Sequence, residues 1–325
     1  MSTRTMLAIA IRDGAGPASA LHPVQLPIPA PRSGEILIRV RAAGVNRPDL
    51  LQRAGNYPPP PGAPDTLGLE VAGEVGVAAG RWREGDKVCA LLGGGGYAEY
   101  ATVDARHALP IPTGLDYTAA AALPETVFTV YANAFEHGAL KSGETLLVHG
   151  ATSGIGVAAI QMARAAGAKV IATARGADKA AQARQLGADV AVDTTHEDFG
   201  AAAKAAGGVD VALDMVGAPY FAATLDALKT GGRIVYIAAL GGGTLDMPVR
   251  QIMMKRAVLT GSTLRPRTRE VKAGFAQALE SKVWPLIAGG KVKVVMDSTF
   301  PLAKAADAHR RLETSEHVGK IVLVV

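Results

Sequence analysis

The sequence predicts an α/β protein: a β-rich region, then a doubly wound parallel sheet, then a short tail. Three observations carry this. Up to about Thr113 the chain reads as short apolar runs broken by Pro and Gly. From Thr118 to about Leu264 the rhythm becomes strand, helix, strand, helix, as βαβ units require. Between the first strand and first helix of that second region lies a glycine-rich turn, Gly150-Ala-Thr-Ser-Gly-Ile-Gly156.

In the first region Glu35–Arg41, Val71–Gly76, Asp86–Leu92 and Tyr97–Val103 have strand character, and the proline run in Asn56–Gly62 marks a turn-rich loop. Together they predict a small antiparallel or barrel-like domain. In the second region the predicted strands are Thr145–His149, Lys169–Ala174, Val190–Asp193, Val209–Val216, Arg233–Ala238 and Val258–Gly261, with Ala-rich helices such as Val157–Ala166 and Ala177–Leu186 between them. Right-handed crossovers turn such a series into a doubly wound sheet. From about Pro266 the pattern predicts a helix (Val271–Gly289), a strand (Val292–Met296), a helix (Ala303–Glu313) and a terminal strand (Gly319–Val325). This tail is too small to be a domain and is expected to return to the first region. The expected boundaries are 1–123, completed by 266–325, for the β-rich domain and 124–265 for the parallel-sheet domain.

Composition narrows the class. The chain has 325 residues, and domains run to about 100–200 residues, so two are expected. Lys and Arg number 34 against 29 Asp and Glu, a net charge of 34 − 29 = +5. The isoelectric point near 9.3 invites a nucleic-acid reading. The excess is mild, however, and bases and acids are interspersed, which favours an ordinary basic surface with an anionic-ligand site. A single cysteine, Cys89, excludes an internal disulfide framework and a cysteine-rich zinc knob; it is read as a buried core residue. The first twelve residues lack the apolar run of a secretory leader, and no window approaches the ~18 apolar residues of a membrane span. A cytoplasmic protein with no membrane partner is expected.

The turn carries the chemistry. Strand, glycine-rich turn and helix start bring backbone N–H groups and the positive end of a helix to a pyrophosphate. Thr152, Ser153, Gly154, Ile155 and Gly156 are the candidate contacts, although the fingerprint G-x-G-x-x-G is here Ala151-Thr-Ser-Gly-Ile-Gly156. Enzymes that prefer NAD carry an acid about 20 residues later, for the ribose 2′-hydroxyl. Here the second strand ends at Ala174 and Arg175 follows, with Lys179 beyond it. Both offer positive charge to a 2′-phosphate, so NADPH is favoured, with NADH as the alternative.

With Asn46-Arg-Pro-Asp-Leu-Leu-Gln-Arg-Ala-Gly-Asn-Tyr-Pro-Pro-Pro-Pro-Gly62, Gly68-Leu-Glu-Val-Ala-Gly73 and Gly94-Gly-Gly-Tyr-Ala-Glu-Tyr100 in view, the chain resembles the zinc-independent quinone oxidoreductases of the medium-chain dehydrogenase/reductase superfamily. It looks most like their tumour-suppressor-inducible group. The resemblance runs from Met6 to Val325 and implies a GroES-like catalytic domain beside a Rossmann domain. It implies that Asn46 lies by the nicotinamide ribose and Tyr57 lines the quinone pocket, the two catalytic candidates. It implies cofactor contacts at Thr129, at Val216, at Ala238, Leu240 and Gly241 after the fifth Rossmann strand, and at Leu264 and Arg265 after the sixth. Lys320 matches a family lysine near the carboxyl terminus. Thr194 stands where related enzymes often have a tyrosine by the adenosine phosphate, which weakens the NADPH inference without reversing it. In the zinc alcohol dehydrogenases the place of Asn46 is a Cys ligand and that of Leu69 a His; neither replacement suits catalytic zinc.

The expected reaction is hydride transfer from a nicotinamide to a quinone or another conjugated carbonyl, without metal. Reduction of enone or alkenal double bonds on the same fold is the near alternative. A non-catalytic RNA binder is a more distant one, since the bases Arg265, Arg267, Arg269 and Lys272 have no interleaved aromatic platform. A short-chain reductase is disfavoured, because no tyrosine has lysine four places later. Among the histidines, His149 reads as packed. A homodimer is expected by analogy, with Val258–Leu264 as its edge.

Overall fold

The computed structural model describes residues 4–325, so the first three residues of the amino-terminal stretch lie outside it. Internal contacts divide the chain into two compact units. One ends its first run at Phe128 and takes in Arg265–Ala288 and Val294–Val325; the other is Thr129–Leu264 with Gly289–Lys293.

The first unit opens with an antiparallel pair, β1 (Thr5–Ile11) and β2 (Leu21–Pro27). The strands β3 (Glu35–Val45), β4 (Glu70–Val77), β5 (Lys87–Leu91), β6 (Tyr100–Asp104) and β7 (Ala108–Pro110) follow. Their inward faces supply a core of Ile36, Ile38, Val71 and Val88, all wholly buried. Tyr97 precedes the ladder, which begins at Tyr100: its N–H donates to the Leu67 carbonyl and its carbonyl accepts from the Ile9 N–H, so its backbone is committed elsewhere than to β3. Within this unit the Glu125 N–H donates to the Glu70 carboxylate, 2.8 Å away.

The second unit holds β8 (Thr145–His149), β9 (Lys169–Ala174), β10 (Val190–Asp193), β11 (Val209–Asp214), β12 (Leu228–Tyr236) and β13 (Val258–Gly261). They form one parallel sheet in the order β10-β9-β8-β11-β12-β13. Strand order reverses beside β8, the place where such sheets open a ligand crevice at their carboxyl ends. The helices Gly154–Ala165 and Ala177–Gln185 follow β8 and β9. Leu147, Ile171, Ala212 and Ile234 anchor the core.

The tail differs from expectation in two places. The predicted helix Val271–Gly289 is two helices, Arg269–Lys282 and Trp284–Ala288. Thr268 caps the first, and Pro285 lies within the second, where its ring cannot continue a preceding helix's hydrogen bonds. The predicted strand Val292–Met296 is displaced to β14 (Met296–Pro301). Gln161 explains the shift, accepting from the Lys293 N–H at 2.8 Å and donating to its carbonyl at 2.9 Å, which fastens this segment to the second unit. The last strand, β15 (Lys320–Val324), pairs parallel with β14 and antiparallel with β3, completing the seven-stranded sheet of the first unit.

Candidate active site

In the second unit the candidate residues sit past the carboxyl ends of the parallel strands. After β8 the chain turns at Gly150, which holds a φ of +74°, and enters the helix Gly154–Ala165. Ser153 caps that helix: its hydroxyl donates to the Gly150 carbonyl (2.8 Å) and accepts from the Gly156 N–H (3.0 Å). A side chain at 156 would place a Cβ 2.3 Å from the Gly150 carbonyl, so only glycine lets the helix start this close to the turn. Gly154 and Ile155 supply first-turn N–H groups without helical partners, and Thr152 is buried beneath them. This is an anion cradle.

Arg175 follows β9 and is exposed. Thr194, after β10, donates from its hydroxyl (3.1 Å) and its N–H (2.9 Å) to the Ala174 carbonyl. It thus ties the ends of the two strands together beside Arg175. Asp193 does the same for the next residue, accepting from the Gly176 N–H at 2.7 Å. Lys179 lies half-buried one turn into the following helix.

A cleft of about 570 Å³ opens past β11, β12 and β13, lined by Gly217, Tyr236, Ala238, Ser262 and Thr263 among others. Val216 precedes the lining residue Gly217, and its N–H donates to Asp214 at 2.6 Å. Leu240 and Gly241 form the turn above, with N–H groups on the Met215 and Val216 carbonyls; Leu240 is 54% exposed and Leu264 is buried. Thr129 accepts at its carbonyl from Asn133, which in turn accepts from the Ser262 hydroxyl. Two buried polar atoms here have no partner: Asp214 Oδ2 and the Tyr236 hydroxyl. They belong to residues directly opposed on β11 and β12. Burial raises the pKa of both groups, and the Asp214 charge adds to the rise at Tyr236. The glycine turn after β8, with the cleft and unsatisfied polar atoms past β11 and β12, fits a dinucleotide laid along the carboxyl ends of the sheet.

The first unit contributes a buried polar cluster. Asn46 ends β3's loop and caps the helix Arg47–Arg53, its N–H donating to Asp49 at 2.8 Å. Its side chain donates to Glu70 (2.8 Å) and accepts from Lys320. Lys320 gives its other two protons to Glu70 (2.7 Å) and to the Val45 carbonyl (3.3 Å). All three ammonium donors are therefore engaged within this cluster. Gly44 makes room for it, since a Cβ there would lie 2.0 Å from the Glu70 carboxylate. Asp49 also accepts from the Tyr97 hydroxyl at 3.2 Å, and that hydroxyl meets His309 Nε2 at 3.1 Å. Arg53 donates to His309 Nδ1 (3.2 Å) and to Glu313. An arginine can only donate, so Nδ1 is the bare nitrogen and Nε2 carries the proton. Burial, and then Arg53, holds the His309 pKa down to about 3; burial pushes Asp49 up to about 6.

Tyr57 is half-buried, with the Arg265 guanidinium 5.3 Å from its ring centre. Arg265 itself is buried, donating to the Gly93 carbonyl (2.8 Å) and the Tyr57 carbonyl (3.4 Å). The structure thus joins Asn46 with Lys320 and Tyr57 with Arg265.

Residues 32–113 match the alcohol dehydrogenase GroES-like domain and residues 154–281 the zinc-binding dehydrogenase family. The chain is 33% identical to quinone oxidoreductase of Rattus norvegicus over 99% of its length and 98% of that protein's. It belongs to the quinone oxidoreductase family of the medium-chain dehydrogenases/reductases. The Escherichia coli quinone oxidoreductase complexed with NADPH superposes with a TM-score of 0.88 at 28% identity, covering 98% of this chain and 100% of that one. The Thermus thermophilus enzyme, solved alone and with NADPH, gives 0.84 at 33% identity over 98% and 100%.

Zinc, which one family description names, does not fit. Asn46 is occupied by Glu70 and Lys320, Leu69 is a buried apolar side chain, and no three His, Cys, Asp or Glu side chains cluster to hold a metal among the described residues. Cys89 is buried, and burial drives its thiol pKa up. His149 is packed, with both ring nitrogens on threonine hydroxyls (Thr173 and Thr224) and a pKa pushed down to about 3 by burial.

Several residues of the site carry no sequence signal. Glu70 lies inside Gly68–Gly73 and Asp49 inside Asn46–Gly62, but neither stretch shows that its acid is buried. His309 looks like a scattered helix residue. Asp214 could have been noticed as an acid ending a strand before Gly217; its orphaned oxygen could not.

Proposed function

We propose that the protein is an NADPH-dependent quinone oxidoreductase that works without zinc. Full-length similarity to the rat enzyme supports the substrate class, and the NADPH complexes of the bacterial relatives support the cofactor. The observation that carries the zinc-free reading is the replacement of a metal's donor set by the Asn46–Glu70–Lys320 cluster.

When bound, NADPH supplies a hydride. The chain's own residues bind and orient it. Gly154 and Ile155 present N–H groups to its pyrophosphate, while Ser153 and Gly156 close the turn around it and Thr152 is buried in the same turn. Arg175 and Lys179 meet the 2′-phosphate, with Thr194 fixing the strand ends beside them. Val216, Ala238, Leu240, Gly241, Leu264 and Thr129 frame the nicotinamide portion. Asn46 meets the nicotinamide ribose through the Nδ2 proton that Glu70 leaves free. Lys320 has no donor to spare, so it acts as a positioning residue that fixes Asn46. Tyr57 lines the quinone pocket.

The edge strand β13 and the helix Val249–Lys255 support a homodimer. Val258, Val249, Met253 and Met254 are 50–71% exposed there, and a sheet edge offers unpaired backbone groups.

The test is turnover of NADPH with 1,2-naphthoquinone against an α,β-unsaturated ketone. A higher kcat/KM for the quinone is expected. Higher efficiency on the enone would move the assignment to double-bond reduction.

A further inference from the structure

One ring of hydrogen bonds in the first unit has no part in the scheme above. It starts and ends on the helix Arg47–Arg53, whose cap is Asn46. Arg53, at the carboxyl end, donates from Nη1 to His309 Nδ1 across 3.2 Å. His309 lies on the tail helix Ala305–Glu313. Its Nε2 meets the Tyr97 hydroxyl, 3.1 Å away, and that hydroxyl lies 3.2 Å from Asp49 Oδ2. Asp49 is in the first turn of the starting helix, one turn before Arg53. All four side chains are buried, so a bond lost from the ring leaves a polar group unsatisfied.

The chemistry of the four groups gives the ring one direction. A guanidinium has no acceptor, so the Arg53 hydrogen falls on the lone pair of Nδ1 and the imidazole proton is on Nε2. That proton donates to the Tyr97 oxygen. A tyrosine hydroxyl has one proton of its own, and with the histidine already donating to its oxygen, this proton goes to Asp49.

Asp49 in turn governs both sides of the Asn46 amide. Its Oδ2 accepts from the Asn46 N–H at 2.8 Å. Its Oδ1 accepts from the Gly68 N–H at 3.2 Å. Gly68 lies two residues before Glu70, whose carboxylate takes a proton of Asn46 Nδ2. Gly68 holds a φ of +101°, and a Cβ there would sit 2.6 Å from the Tyr97 nitrogen, so the turn leading to Glu70 packs directly on the residue that feeds Asp49. A carboxylate pinned by Tyr97 thus fixes the asparagine and its acceptor together.

We propose that Arg53, His309 and Tyr97 form a one-way hydrogen-bond relay that acts through Asp49 to set the position of Asn46. They are positioning residues for the nicotinamide end of NADPH. The proposal rests on the reading in which Asn46 meets the nicotinamide ribose.

The experiment uses the full-length chain and its variants Tyr97→Phe, His309→Leu, His309→Gln, Asn46→Ala and the double Asn46→Ala/Tyr97→Phe, with NADPH and 1,2-naphthoquinone as substrates and circular dichroism as the folding control. Tyr97→Phe should raise the KM for NADPH about tenfold, the scale of one lost hydrogen bond, and leave the KM for the quinone unchanged. His309→Leu should do the same. Glutamine can accept from Arg53 and donate to Tyr97, so His309→Gln should bring the KM for NADPH back close to wild type. The double variant should match Asn46→Ala alone, because the relay has no other route to the cofactor. A second readout needs no nucleotide and decides the matter if His309→Leu does not fold. The chain has three asparagines, Asn46, Asn56 and Asn133, so 15N-asparagine labelling resolves the side-chain amide of Asn46. Tyr97→Phe should shift that resonance and His309→Gln should leave it in place. Additive losses in the double variant, a glutamine no better than leucine, or an unmoved Asn46 resonance in Tyr97→Phe overturns the relay and leaves the ribose contact standing. A wild-type KM for NADPH in Asn46→Ala overturns the ribose contact and the proposal with it.

Discussion

Lys320 donates a 2.7 Å hydrogen bond to a Glu70 carboxylate that is wholly shielded from water, and both side chains hold Asn46. The pair lies on β15 and β4, which both reach their common neighbour β3. It holds an amide in position there and offers no ligand to a metal.

Such a pair is costly to break from one side. Lys320→Met should destabilise the protein by about 3–5 kcal/mol, because an uncompensated carboxylate stays buried. Glu70→Gln should cost a similar amount, while the double variant should recover a large part. Urea unfolding of the four proteins closes the cycle, and strictly additive losses would show that the two side chains do not interact.

Cofactor choice rests on Arg175. Arg175→Ala should weaken NADPH by about tenfold, the low end for a charge-assisted contact at an exposed site, and leave NADH unchanged. Titration of both nucleotides at low salt reads this directly. Equal losses for the two would remove Arg175 from the 2′-phosphate. Added salt should shrink the difference, since the side chain is exposed.

Stability against pH should show two opposed sets. His149 and His309 have folded pKa values near 3 against an ordinary 6.5. Folding favours their neutral form, so their contribution is complete above pH 6.5 and is lost as pH falls toward 3. Glu125 runs the other way. Its folded value near 8 lies above the ordinary 4.5, so its contribution is complete below 4.5 and is lost as pH rises toward 8. Asp49, near 6 against 3.8, adds to the second set. Two groups against two should leave a flat stretch between about pH 4.5 and 6. Glu125→Gln should gain on wild type by up to about 1.4 kcal/mol per pH unit between about pH 4.5 and 8. Urea unfolding at closely spaced pH values measures it; a difference that stays constant with pH would contradict the raised Glu125 value.

Assembly should depend on the β13 edge. Light scattering is expected to give twice the 33.3 kDa chain mass. A double change, Met254→Glu with Val258→Asp, should return it to a single chain mass with the circular dichroism spectrum unchanged. A variant that remains dimeric would place the interface elsewhere.

The Rossmann half was largely legible in the sequence. Thr145–His149, the turn to Gly156 and the helix after it are contiguous, and each is specified by its own residues: a buried apolar run, a glycine required by a 2.3 Å approach, a serine that caps three residues on. The position of Arg175 at the end of β9 was legible for the same reason. The tail strand was misplaced by a few residues because Gln161, 132 positions away, decides where Lys293 goes.

The sequence by itself therefore determined the family, the order of elements, the nucleotide turn and the absence of zinc-ligand residue types at Asn46 and Leu69. Only the tertiary structure decided the other half. Lys320 and Glu70 are 250 residues apart, Arg53 and His309 256. Protonation state is set by loss of water and by the charges that remain nearby. Neither exists until β15 closes against β3 and the strands around it, so Glu125, Asp49 and His309 acquire their chemistry only in the folded chain.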